Sequence, residues 1–257
     1  MSPAPAGNLK EVDGLRKWPK RREIPFNKIF PNMITSGSIL CGMLSLALAS
    51  HGQVLPAAWL IAVAVVFDYL DGKVARSLGG SSAFGVELDS LADVISFGVV
   101  PAFLVYVVYM DILGLPGALV AAFFALCGAL RLARFNVTHS AGSFQGLPIP
   151  AAGLALASIV PSGIPLYPWM VALICLFLGG LMVSAVPYGN LKRLRKGQIH
   201  RGKAALVLLV MTGSVVLLRE RAPLALAWTY VVSGLVRFDW GAWLSTASDG
   251  EEVEEEA

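Results

Sequence analysis

Four aspartates carry the chemical promise of this chain. Asp68 and Asp71 stand three residues apart, and Asp89 and Asp93 stand four apart. In a helix, either spacing puts both side chains on one face. Between the pairs lie Gly72, Lys73, Arg76, Gly79, Gly80, Ser82 and Gly85, a small and cationic turn. Carboxylates drawn together repel unless they share protons or take up cations. Oxygen-only ligands suit hard divalent ions such as Mg²⁺, Mn²⁺ or Ca²⁺, and no His or Cys is close enough in sequence to point to zinc. Pairs from two helices meeting at one level could bridge two such ions, an arrangement suited to in-line displacement at phosphorus. The glycines would admit a phosphate-bearing ligand close to the backbone, and Arg76 offers a planar cationic fork for it. The residues alone point to phosphoryl-type transfer.

The elements that must position these acids are apolar. Of the 257 residues, 56% are hydrophobic and 14% charged, with a mean hydropathy of +0.69. The apolar residues fall in runs long enough to cross a bilayer as helix, and nothing outside them could build a soluble core. The expected fold is all-α and polytopic, with about eight transmembrane helices. They run from Asn32 to Ser50, from Leu55 through Asp71 to Arg76, from Phe84 to Met110, and from Gly117 to Phe135. A short fifth starts at Pro150 and breaks at Pro161; the sixth covers Trp169 to Val186. Ala204 to Leu218 and Pro223 to Val236 form a closing antiparallel pair. Acids at such helix ends are costly to dehydrate and mark function. Cys41, Cys127 and Cys175 each sit inside an apolar run without metal-ligand spacing and read as buried thiols.

Charge sets the orientation. Residues 1–30 form a basic tail, with Pro3, Pro5, Pro19 and Pro25 breaking it. Although Ala47-Leu48-Ala49 has the form of a leader cleavage site, the basic region before it and the polytopic remainder argue against cleavage. An eight-helix path puts both termini on one side, together with all but Arg219 and Arg221 of the 20 Lys and Arg. By the positive-inside rule that side, with the aspartates, is cytoplasmic. Residues 31–187 read as a six-helix membrane core, 188–240 as a basic loop and helix pair, and 241–257 as an acidic, solvated tail. The bilayer is the expected partner, and no nucleic-acid partner is expected.

The pattern Asp68-x2-Asp71-Gly72-x2-Ala75-Arg76-x8-Gly85-x3-Asp89-x3-Asp93 resembles the signature of the CDP-alcohol phosphatidyltransferases at every fixed position. A second stretch, Arg131-Leu132-Ala133-Arg134-Phe135-Asn136 followed by Phe144-Gln145-Gly146-Leu147-Pro148-Ile149-Pro150, looks like the phosphatidylserine synthase branch. Phe30-Pro31-Asn32 and the residues from Asp89 to Gly98 share that likeness. The resemblance implies transfer of a phosphatidyl group from CDP-diacylglycerol to L-serine, with release of CMP. It implies two divalent metal ions, Mg²⁺ or Mn²⁺, held by Asp68, Asp71, Asp89 and Asp93, with Asp93 also taking the proton from the attacking hydroxyl. Gly72, Ala75, Arg76, Ser82 and Gly85 would line the CDP-lipid pocket. Arg134, with Asn136 or Gln145, would meet the carboxylate and ammonium of serine. A homodimer in the cell's inner membrane is implied as well.

Plainer readings stand beside these. Arg131 and Arg134 also fit helix-end anchors, and Gly146-x-Pro148-x-Pro150 fits a rigid helix entry. Asn32 and Thr35 read as caps of the first helix rather than nucleotide contacts. Glu87 is out of phase with Asp89 and falls outside the site. Tyr109, Trp169, Tyr188, Trp228, Trp240 and Trp243 read as interfacial anchors. The same chemistry with glycerol 3-phosphate or inositol phosphate as acceptor is the nearest alternative, and a cation or proton transporter is the alternative of another class. A transporter favours mid-membrane acids and repeated halves, whereas these acids lie at helix ends and no repeat is visible.

Overall fold

The structure is a computed structural model that describes residues 26–78, 82–138, 146–186, 188, 200–238 and 243. The described residues are helical and contain no strand. Helix α1 spans Phe26–Ser50, α2 Val54–Ser77, α3 Ala83–Leu113 and α4 Leu115–Thr138. The shorter α5 (Ile149–Ala157) and α6 (Pro168–Val183) follow, then α7 (Arg201–Leu218) and α8 (Ala222–Leu235). Among the described residues, α1 to α4 are each long and apolar enough to cross a membrane. Their outward faces carry exposed Leu40, Leu44, Leu119, Leu126 and many similar side chains. Such a surface is stable against lipid, where the backbone must satisfy its own hydrogen bonds. The chain is an integral membrane protein.

Small residues decide how closely the helices approach, because lipid supplies no hydrophobic drive between them. Gly52, at φ +76°, turns the chain between α1 and α2, a backbone conformation that glycine adopts without steric cost. The two helices then pack along their length. Ala57 and Ala64 are fully buried between them and their neighbours, and Ser45 Oγ donates to the Ala57 carbonyl at 2.7 Å. At Gly37 a Cβ would come within 2.8 Å of the Phe67 ring. Deeper in, Phe97, Phe124, Ile149, Leu156, Leu178 and Met182 form the apolar centre. Gly128 makes room there for Ile149, whose Cδ1 would be 2.5 Å from any Cβ added to it.

Helix α3 is not uniformly α-helical. It widens to π turns over Val94–Val99 and Tyr106–Met110. Pro101 explains the first, since it has no N–H to give and its ring crowds the carbonyl four residues back. That carbonyl, on Phe97, lies against Gly153 of α5, where a Cβ would approach it to 2.5 Å. The first widened turn starts directly after Asp93, so the irregularity adjoins the acidic cluster.

Two helix ends differ from the sequence expectation. Helix α5 ends at Ala157, before Pro161, and continues as turns to Gly163. Ser158 and Ser162 there bond backward to the carbonyls of Ala155 and Ile159, and such local bonds compete with helix propagation. Helix α6 stops at Val183 rather than Val186, because the carbonyls that would continue it serve other partners. Leu147 N–H donates to Leu181 O at 3.0 Å, and Gly146 N–H to Val186 O at 2.9 Å. Gly146 adopts φ +80° with its α-carbon pressed to Met182 O. The Gly-x-Pro-x-Pro stretch is thus a rigid entry to α5.

Candidate active site

Ends of three helices build the site. The last turns of α2 present Asp68 and Asp71; the first turns of α3 present Asp89 and Asp93. Ser82 starts α3 as its N-cap, with Oγ accepting from Gly85 N–H at 3.0 Å. This cap fixes where the helix begins and hence the phase of both acids. One carboxylate oxygen each from Asp68, Asp71 and Asp89 lie within 4.8 Å of one another. The carboxyl groups of Asp68 and Asp93 share a hydrogen bond. All four aspartates that the sequence paired by spacing therefore meet in one cluster.

The cluster opens on one side into a cleft. It is lined by Asn32 and Thr35 of α1, Asp71, Gly72 and Ala75 of α2, and Ser82, Gly85 and Asp89 around the start of α3. Of the residues expected to contact the CDP-lipid, Gly72, Ala75, Ser82 and Gly85 all line it. Arg76 is exposed beside it, its Nη1 about where a Gly72 side chain would begin, 3.4 Å from an added Cβ. From there the guanidinium interacts with Asp71. Gly85 has a further structural reason to be glycine: a Cβ would lie 2.9 Å from Asn32 Oδ1.

Asn32 and Thr35 are not caps. Helix α1 begins at Phe26, so both lie inside it. Thr35 is buried, and its Oγ1 donates to Asp71 Oδ2 at 2.6 Å, with the Pro31 carbonyl 3.1 Å away. A hydroxyl bonded to one carboxylate oxygen fixes that group's rotation and leaves its other oxygen for a ligand, as outer partners of metal ligands do. The sequence signal was present in retrospect. Asn32 and Thr35 repeat the three-residue spacing of the first acid pair.

On the other side of the cluster is α4. Arg131 interacts electrostatically with Asp93, Tyr230 and Arg134. Its Nε is buried and has no hydrogen-bond partner among the described residues. Arg134 is exposed and donates from Nη1 to Val183 O at 3.4 Å, tying α4 to the end of α6. Asn136 Nδ2 donates to Ser90 Oγ at 3.0 Å, one residue beyond Asp89. Gln145 lies outside the described residues. Of the cationic pair on α4, then, Arg131 is the one that reaches the aspartates, although the sequence suggested Arg134. Both fit helix-end anchors by position, and only the packing separates them.

The donor set also fits a hard divalent ion. Three carboxylates converge on one point without nitrogen or sulfur ligands, and clustered acids in a low-dielectric site are stabilised by a cation among them.

These features define a membrane-embedded, all-helical protein with an acidic site at the ends of its helices. The chain belongs to the CDP-alcohol phosphatidyltransferase family, whose profile matches residues 28–187. It is 39% identical over 183 residues to a CDP-diacylglycerol–serine O-phosphatidyltransferase of Helicobacter pylori, covering 67% of this chain and 77% of that protein. A protein of the same name from Bacillus subtilis is 34% identical over 174 residues, 67% of this chain and 97% of its own length. An archaetidylserine synthase of Methanothermobacter thermautotrophicus is 40% identical over 162 residues, 62% of this chain and 68% of that protein. Membership of a phosphatidyltransferase family leaves the transporter alternative without support.

Proposed function

We infer that this protein transfers the phosphatidyl group of CDP-diacylglycerol to the hydroxyl of L-serine, giving phosphatidylserine and CMP. The observation that carries the reading is the convergence of the four signature aspartates on a glycine-lined cleft, in a chain whose relatives bear serine phosphatidyltransferase names. Residues 31–187 would form the catalytic core.

Asp68, Asp71, Asp89 and Asp93 would hold two divalent ions, Mg²⁺ or Mn²⁺. When bound, these would offset the charge of the diphosphate and of the phosphorus centre during displacement. The remaining work falls to the chain. Gly72, Ala75, Ser82 and Gly85 leave room for the cytidine diphosphate along the cleft, and Arg76 at its edge would pair with phosphate oxygens. Thr35 keeps Asp71 in one orientation. Asp93 accepts the proton of the serine hydroxyl as that oxygen forms its bond to the diacylglycerol-bearing phosphorus. The anhydride bond breaks, and its electron pair leaves with CMP.

Serine brings a carboxylate and an ammonium group. Arg131, with its unshared Nε beside Asp93, is positioned to take the carboxylate, with Arg134 and Asn136 nearer the rim. Gln145 remains a candidate for the ammonium. The distribution of Lys and Arg supports a cytoplasmic site and cytoplasmic termini in the cell's inner membrane. The family resemblance supports a homodimer.

Acceptor choice is tested by competition. Serine, glycerol 3-phosphate and inositol phosphate are offered together at equal concentration with CDP-diacylglycerol and Mn²⁺, and the lipid products are separated. Phosphatidylserine as the main product supports the reading, whereas a phosphorylated headgroup in the product would reassign the acceptor.

A further inference from the structure

The segment shared with the family profile ends at residue 187, yet the next described residue begins a contact that returns to the active site. Tyr188 is almost fully buried, and its hydroxyl donates to the Val231 carbonyl of α8 at 3.3 Å. Its ring lies 5.9 Å from that of Tyr230. Gly234, one helical turn on, is pressed so closely to Tyr188 that any side chain there would overlap its ring. This packing fixes the rotation of α8 and turns Tyr230 inward. The phenol of Tyr230 there interacts with the guanidinium of Arg131, which itself interacts with Asp93. A buried arginine nitrogen without a partner is costly to leave unpaired. Arg131 is thus held from one side by the C-terminal helix, with a donor left over on the side of the aspartates.

We propose that Tyr230 is a positioning residue for acceptor recognition: it holds Arg131 so that the arginine meets the carboxylate of the incoming amino acid. The C-terminal helix pair, outside the family-matched segment, is then part of the acceptor side of the site. This rests on the reading that serine is the acceptor. The Bacillus subtilis relative is matched over 97% of its length by only 67% of this chain. The extension therefore tunes affinity for the acceptor instead of supplying the chemistry.

The test is a double-mutant cycle on the full-length protein in detergent, reading KM for serine, KM for CDP-diacylglycerol and kcat. Tyr230→Phe keeps the ring against Tyr188 and removes only the hydroxyl. It raises the serine KM about 3–10-fold, the loss of one ordinary hydrogen-bonding interaction, with kcat and the CDP-diacylglycerol KM within about twofold. In an Arg131→Ala background the same change has no further effect on serine KM, because the two residues act as one unit. Val232→Ala, on the exposed face of the same helix, behaves as wild type. A Tyr230→Phe protein with unchanged serine KM overturns the proposal, as does an effect that adds in full to that of Arg131→Ala. If wild type forms phosphatidylserine and Tyr230→Phe matches it, this inference alone is lost. A wild type that forms none overturns the functional reading and this inference with it.

Discussion

The two sides of the aspartate cluster are built differently. On the cleft side, α1, α2 and the start of α3 supply short, polar and tightly set groups. Thr35 bonds Asp71 at 2.6 Å, Ser82 caps α3, and Gly85 leaves space for Asn32. All of them fall within about sixty residues of one another in sequence, the span of a helical hairpin plus one turn. On the α4 side, one arginine faces Asp93, and a tyrosine from the far end of the chain stands behind it. The first side is suited to a nucleotide diphosphate, whose charge and shape are common to all CDP-lipids. The second has few fixed groups and a partner outside the shared segment, which suits the part of the reaction that differs between family members, the acceptor.

Substitutions that strike one side only are the means to break this contrast. The largest effect is expected where the sides meet. Asp93→Asn should lower kcat by about 10²–10⁴-fold, the usual worth of a positioned acid–base group, while CDP-diacylglycerol binding changes little in equilibrium dialysis. A parallel loss of binding would mean that Asp93 serves the donor as much as the acceptor. Next, Arg131→Ala should raise the serine KM about 10–100-fold, as loss of a charged hydrogen bond does, with the CDP-diacylglycerol KM unchanged in initial-rate kinetics. Arg134→Ala should raise it less. The reverse ranking would return the carboxylate contact to Arg134.

Thr35→Val should act on the other side, weakening activation by Mn²⁺ roughly 10-fold in a metal titration, within the range for outer partners of metal ligands. Its serine KM should stay near wild type, and a shift there would blur the division between the sides. The smallest effect on catalysis is expected from Gly234→Ala. Overpacking against Tyr188 should cost about 1–3 kcal/mol of local packing, seen as earlier proteolysis of α8 in detergent, with a modest rise in serine KM. Wild-type protection of α8 in that variant would show that Tyr188 does not hold the helix.

The same contrast explains what the sequence disclosed. The helical runs were legible because hydropathy alone marks spans in lipid, and their ends missed only where serine hydroxyls and Gly146 diverted the carbonyls of α5 and α6. The cleft side was legible because its acids and glycines lie close together in sequence at helical spacing. Thr35 was misread as a cap because α1 starts earlier, at Phe26, and a basic, Pro-containing approach gives no periodic signal for that start. The α4 side was hidden. Arg131 and Arg134 carry the same signal in sequence, and nothing in the neighbourhood of Tyr230 points to a residue almost one hundred positions earlier. Only helix packing brings them together.

The account is tested most directly by a single assay. Purified protein is given CDP-diacylglycerol and radiolabelled serine, with Mn²⁺ or with excess chelator, and labelled lipid and CMP are measured together. The expected result is labelled phosphatidylserine and CMP in equal amounts with the metal and neither without it. Release of CMP without labelled lipid, or no product with any divalent ion, would contradict it.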